Sequence, residues 1–306
     1  MLLPTNPRYA YSSIAQRPDF SWPDGRRLAF YIALNVEQFA YGRGMGHTPH
    51  NASSPTDHRI FAWRDYGLRV GIWNIFDLLD RLGLSCCHLL NSAVCDNYPA
   101  IVQRIRERGE EVVGHGRTNA ERQGDYFEED ERLLVRTAAE RIEAAFGTRP
   151  YGWMGPWMSE SAVTPDLLKE EGYRYLMDWP CDDQPVLFQT RSGPMINVPY
   201  PIELNDAPAI LNRNHTAEQF ATMMIDQFEA MLEISERYPV VCAISLHTFI
   251  FGSPFRLRQL ERALSVIARY RDDPRVWFTS PGEIARHYGT VLEAQGQSLA
   301  GAPAKA

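Results

Sequence analysis

The sequence predicts an α/β protein whose parallel strands close into a barrel. Three observations predict it. Short apolar, strand-like runs alternate with amphipathic helical stretches about seven or eight times along the 306 residues, and parallel strands need helical crossovers. No linker-like change of composition divides the chain, so one body is expected although the length would allow two. Four strand-like runs end in polar or titratable side chains, the place where α/β barrels keep their chemistry. Phe30–Leu34 runs into Asn35 and Glu37, Val112–Gly114 into His115, Tyr173–Met177 into Asp178, and Val241–Leu246 into His247. An open doubly wound sheet would carry a glycine-rich turn after its first strand, and Asn35-Val-Glu-Gln38 is not one.

Residues 1–26, rich in Pro, Arg and Tyr, read as an arm over the outside of a barrel spanning 27–290, with a flexible tail over 291–306. Trp22-Pro-Asp-Gly25 turns the chain into the first strand. A long loop follows Glu37, from Gln38 to about Asp65, with Gly42, Gly44, Gly46, Pro49, Pro55, His47, His50 and His58. Loops beyond roughly 12–15 residues inside a compact body are usually functional, which puts this one in the pocket wall. Leu68–Leu82 carries Val70, Ile72, Trp73, Phe76 and Leu79 at helical spacing and ends at Gly83. Cys87–Leu90 is the second strand, Tyr98–Arg108 a helix closed by Gly109, and 111–115 the third strand. Phe127–Phe146 is a long amphipathic helix ending at Gly147, its acidic start a solvated first turn. Tyr151–Met154 is the fourth strand. Thr164-Pro165 opens a helix that Gly172 ends, and 173–177 is the fifth strand. Met195–Val198 is the sixth, and Thr216-x-x-Gln219 is a capping box for a helix reaching Tyr238. The seventh strand, 241–246, is followed by a helix over about 256–270, by Val276–Thr279, and by a short helix capped at Ser280.

A formal charge of -7 argues against a broad nucleic-acid surface. No run approaches the ~20 apolar residues of a membrane span, and the N-terminus lacks the basic start and apolar core of a secretory signal. The five cysteines show no C-x-x-C spacing, so buried free thiols in a reducing cytoplasm are expected.

Glu37, His115, Asp178 and His247 are therefore expected to share one pocket. Carboxylate plus imidazole is the minimum kit for activating water and protonating a leaving amine. No covalent nucleophile is as well placed: Ser245-Leu-His247 lacks elbow glycines, and no cysteine sits beside a histidine at a strand end. Trp153, Trp157, Trp179, Tyr200, Phe249 and Phe251 crowd the same lips, Trp153 as core. The apolar Phe249-Ile-Phe251 after the last histidine favours a substrate with an apolar or aromatic part.

The order strand–acid, Gly114-His-Gly116, Trp153-Met-Gly-Pro-Trp157, Asp178-Trp179, Ile244-Ser-Leu-His247 resembles the polysaccharide deacetylase superfamily over about residues 18–288. Trp22-Pro-Asp-Gly-Arg-Arg-Leu-Ala29, Leu34-Asn-Val-Glu37 and Tyr66-Gly-Leu-Arg-Val-Gly-Ile-Trp73 resemble its allantoinase-like branch, which also holds peptidoglycan-deacetylase-like proteins. The resemblance implies a distorted (β/α)7 barrel that hydrolyses C–N bonds other than peptide bonds. It implies Glu37 as base or water-orienting carboxylate, His247 as general acid, and Asp178 as the acid that orients a catalytic partner, where an ordinary rim salt bridge is the plainer role. His115 and Asn119 would hold the substrate carbonyl or the water, Asn35 would bind substrate, and Arg117 would stabilise charge on the carbonyl oxygen.

Metal-dependent members use an Asp after the first strand and a His-x-x-x-His pair after the third. Here His115-Gly-Arg-Thr-Asn119 has Asn in the second place, and Asn35 and Glu37 stand near the expected Asp. Asn is a poor Zn²⁺ ligand, so no cofactor is expected; Glu37, His115 and Asn119 would be the ligands of a weak divalent site. The branch includes members thought to work without metal. The resemblance also implies a homo-oligomer, often a tetramer. The expected activity is hydrolysis of a small amide, ureide or imide. A metal-dependent N-deacetylase of an acetamido sugar and a non-catalytic binding barrel are the rivals.

Overall fold

The computed structural model describes residues 6–42 and 58–297. The glycine-rich stretch with His47 and His50 and the end of the expected tail lie outside the described residues. Among the described residues, nine strands form one sheet: β1 (Leu28–Val36), β2 (Cys87–Leu90), β3 (Val112–Gly114), β4 (Gly152–Trp153), β5 (Tyr175–Leu176), β6 (Val186–Phe188), β7 (Met195–Asn197), β8 (Val240–His247) and β9 (Val276–Phe278). Their order is β6-β7-β5-β4-β3-β2-β1-β8, with β9 on the first residues of β1. All pairings are parallel except β6 with β7. The sheet curls into an incomplete, distorted barrel of the kind expected.

The helices are α1 (His58–Tyr66), α2 (Ile72–Leu82), α3 (Val94–Asn97), α4 (Pro99–Arg108), α5 (Glu128–Phe146), α6 (Thr164–Glu170), α7 (Ala217–Ile234), α8 (Thr248–Phe251), α9 (Pro254–Ile267) and α10 (Pro281–Ala294). Among the described residues, no helix is long and apolar enough to cross a membrane.

β1 shows why the fold follows from the sequence. It is buried along its whole length, so both faces need apolar side chains and the run reads as continuous rather than alternating. Leu28, Phe30, Ile32 and Leu34 pack outward against the helices. Ala29, Tyr31 and Ala33 point into the barrel beside Leu89, Val113 and Val198. Asn35 is the next inward position, at the C-terminal lip.

Three elements differ from expectation. The loop after Glu37 contains α1, whose charged and aromatic residues show no apolar stripe. The helix expected from Leu68 starts as a π-helical turn, Gly67–Gly71, joining α1 to α2. β6 lies in a short half-buried run without alternation, and the arm covers it: the Gln189 N–H donates to the Arg8 carbonyl at 2.6 Å, and Tyr9 packs on Phe188.

Gly67 and Gly71 lie four residues apart, on the side of the turn that meets α8. A Cβ on Gly67 would sit 2.6 Å from the Phe249 nitrogen, and one on Gly71 would run into the Thr248 carbonyl oxygen. That close approach holds the segment after His247 against α1. Gly71→Ala is expected to destabilise the protein by about 2–3 kcal/mol through overpacking, read as a lower urea midpoint at unchanged slope.

Candidate active site

The register of β1 sets the site. Asn35 pairs with His247 across to β8 and with Leu89 across to β2. Glu37 follows one residue past the strand end, and His115 one residue past β3. Glu37 Oε1 lies 3.5 Å from His115 Nε2 and 3.3 Å from His247 Nε2. All three residues are buried. One carboxylate thus sits between two imidazoles.

The outer nitrogens of the two rings are held differently. His115 Nδ1–H donates to the Met154 carbonyl at 2.5 Å. A carbonyl can only accept, so the neutral ring carries its lone pair on Nε2. That atom is buried and has no hydrogen-bond partner. His247 Nδ1 donates to Asp206 Oδ1 at 2.6 Å, and its backbone N–H to Asp206 Oδ2 at 2.8 Å. Burial alone would lower the His247 pKa, but Glu37 and Asp206 on opposite sides outweigh it and push it up to about 10. Burial would likewise raise Glu37, yet the charged His247 holds it well below the usual carboxylate range. His247 is therefore a charged donor and Glu37 an anion at neutral pH.

Glu37, His115 and His247 line a cavity of about 240 Å³ together with Asn35, Asn119, Trp157, Tyr200 and Phe249. Asn35 Nδ2 donates to Ser245 Oγ and the Leu246 carbonyl, leaving its buried Oδ1 without a partner. Asn91, behind the cavity, donates to the His115 carbonyl and to Asn119 Oδ1, tying the β2 and β3 lips together.

Four expected residues stand elsewhere. Asp178 is buried behind the Met154–Gly155 peptide, accepting the Gly155 N–H at 2.7 Å. Trp179 turns away from the cavity, donates to Glu160 and packs on Tyr9 and Phe188. Phe251 is fully buried against Phe220, so only Phe249 of the apolar pair reaches the mouth. Arg117 is 57% exposed and pairs with Glu121, four residues on.

Asp206 and Arg64 also stand at the site, and no pattern in the sequence marks them. Asp206 follows no strand or motif; only its bridge from Asn205 to Ser245 brings it to His247. Arg64 lies on α1, lines the cavity and stacks on Phe39 at 3.9 Å and near Phe249. Burial lowers its pKa to about 10, with Glu37 opposing, so it stays charged.

These residues do not fit a zinc ion. Asn119 Oδ1 already accepts from Asn91, which leaves one carboxylate and one histidine nitrogen of the expected trio. The carboxylate faces the charged His247 and lies in the field of Arg64. Among the described residues, the donors of Cys86, His88 and Glu110 also converge, below the opposite end of β2. Arg108 takes both Glu110 oxygens at 2.7 Å, and His88 Nδ1 has no partner where a metal-bound histidine needs one. That cluster is a staple between strand and helix.

The fold is similar to that of the polysaccharide deacetylase-like barrels, as the resemblance implied. Residues 53–176 match the polysaccharide deacetylase family. A Schizosaccharomyces pombe protein named "Putative polysaccharide deacetylase" is 25% identical, covering 92% of this chain and 91% of its own. The crystal structure of a probable polysaccharide deacetylase from Pseudomonas aeruginosa PAO1 is similar at a TM-score of 0.76 and 25% identity, covering 88% of this chain and 93% of its own. PuuE allantoinase shares the fold at a TM-score of 0.79 and 24% identity, over 90% and 94% of the two chains. At the general level these likenesses support hydrolysis of a C–N bond.

A histidine whose pKa is raised on folding adds stability that is complete below its unfolded value, roughly 6.5. That stability is lost as pH rises through about 10. Asp206→Asn removes one of the two supporting charges. The His247 titration, followed by NMR of ¹⁵N-labelled histidine, is expected to move down by about one pH unit or more.

Proposed function

We propose that the protein hydrolyses a non-peptide C–N bond of a small amide, ureide or imide without a catalytic metal. The observation that carries this reading is the approach of Glu37 Oε1 to both imidazole Nε2 atoms inside one cavity. A base and an acid are thereby held on either side of one anion, with their protonation states set apart.

In this reading water binds between Glu37 and His115. Glu37 holds its proton too weakly to be the main acceptor, so it orients the water and steadies the imidazolium that forms. His115 Nε2 takes the proton as the oxygen attacks the carbonyl carbon. His247 then gives its proton to the departing nitrogen, and its link to Asp206 keeps it charged for that step. Asn35 Oδ1 is an acceptor for a substrate N–H, and the Asn119 side-chain amide supplies donors toward the carbonyl oxygen.

The cavity lies just below the usual range for ligand pockets, about 300–1,000 Å³, which suits a small molecule better than a polysaccharide chain. Trp157, Met158, Leu211 and Phe249 give it an apolar wall, which favours a substrate with an apolar or aromatic part beside the scissile group. We further propose a cytoplasmic enzyme that assembles with copies of itself.

The test is a hydrolysis panel of ureides, cyclic imides, small N-acyl amides and acetamido sugars. Turnover is expected among the first three classes, with His247→Asn lowering kcat by ~10²–10⁴. Glu37→Gln is expected to abolish turnover while ligand binding persists. Unchanged turnover in Glu37→Gln would remove Glu37 from the mechanism, and binding without turnover of any compound by the wild type would mark a non-catalytic barrel. Phe249→Ala should lower kcat/KM for an aromatic substrate by ~10–100-fold more than for an unsubstituted one, about 1–3 kcal/mol.

A further inference from the structure

Behind the cavity, the Met154–Gly155 peptide is gripped from both sides. Its carbonyl accepts His115 Nδ1–H, and its N–H donates to Asp178 Oδ1. Asp178 is buried, and its other oxygen, Oδ2, has no donor. Glu160 stands within hydrogen-bonding reach of it. Glu160 Oε2 accepts the Trp179 indole N–H at 2.7 Å, but its Oε1 is likewise out of solvent and without a donor.

Two facing carboxylates cannot both be anions out of water when no donor separates them; one proton between them satisfies both orphaned oxygens. We propose that Glu160 and Asp178 share one proton behind the Met154–Gly155 peptide and thereby fix the orientation and tautomer of His115, which makes Glu160 a positioning residue. A charged Asp178 pulls on the Gly155 N–H and makes the Met154 carbonyl a stronger acceptor for His115. The catalytic consequence rests on the hydrolase reading above; the coupling itself does not.

The other charges around the pair leave this arrangement in place. Glu131, on α5, is occupied by Gln123, Ser161 and Thr164. Arg8, from the arm, is taken by both oxygens of Asp166 at 2.8 Å and by two carbonyls. Glu160 also closes the loop carrying Trp157 and Met158, two consecutive non-glycine residues with positive φ, 65° and 53°. Such backbone persists only where its surroundings hold it. Burial and the Asp178 charge push Glu160 well above the carboxylate range, so Glu160 holds the proton. Burial pushes Asp178 up to about 7 against the Gly155 and Glu160 hydrogen bonds.

The experiment is a pH titration of ¹⁵N-labelled histidine by NMR on the full chain. The His115 resonances are identified as those lost in His115→Gln. In the wild type the His115 shifts are expected to carry a component that follows the Asp178 carboxyl, whose midpoint is about 7, and Asp178→Asn to lack that component. Glu160→Leu removes the donor to Asp178, so its step should move up by about one pH unit or more. Glu160→Gln puts an amide donor in place of the shared proton and should keep the wild-type midpoint and His115 tautomer. The same His115 course in wild type and Glu160→Leu would overturn the proposal, as would Glu160→Gln behaving like Glu160→Leu. No substrate is needed, so a failed substrate search and a failed coupling are separate results.

Discussion

A buried carboxylate cannot stay charged without nearby positive charge or donors, and at Glu37 that requirement organises the barrel mouth. His247 supplies the charge, and Asp206 keeps it charged from the far side. His115 approaches from the other flank, oriented by the Met154 carbonyl. Each holder comes from a different part of the chain. Glu37 leaves β1, His115 leaves β3, Met154 follows β4, and the Asp206 segment bridges to Ser245 on β8. The curl of the sheet brings these lips to one point, and the small Ala29 and Ala33 on the inner face of β1 sit beneath Asn35.

The arrangement separates two chemically identical side chains. Both histidines face the same anion through Nε2, yet one has a carboxylate behind it and the other a carbonyl. The carboxylate keeps His247 a cation. The carbonyl fixes a proton on His115 Nδ1 and leaves a lone pair inward. In the proposed hydrolysis, acid and base are assigned by their outer neighbours.

The barrel and the residues at strand ends were legible in the sequence because local chemistry marks them. β1 and β8 are unbroken apolar runs ending in polar groups, and Gly83, Gly109 and Gly147 end helices with positive φ as expected. Asp206 was not legible. It lies in an irregular segment, and its role exists only through a tertiary contact 41 residues away in sequence. Arg64 was hidden for a related reason: α1 carries charged and aromatic groups on every side, so no period announced a helix whose arginine reaches the cavity. Trp179 and Phe251 show the converse error, and Asp178 stands behind the cavity rather than in it. A place near a strand end puts a side chain near the mouth, but its direction depends on strand length, and β5 is two residues long.

The departure of Asn119 from a histidine fits this electrostatic design. An amide adds no charge beside Glu37, whose neighbourhood already holds His247 and Arg64. Turnover of the best substrate should therefore be compared before and after chelation, and again with Zn²⁺, Co²⁺ or Mn²⁺ added back. Metal-free hydrolysis predicts equal kcat in the stripped and untreated protein. Loss of turnover on chelation, restored by stoichiometric metal and accompanied by preference for acetamido sugars, would contradict it.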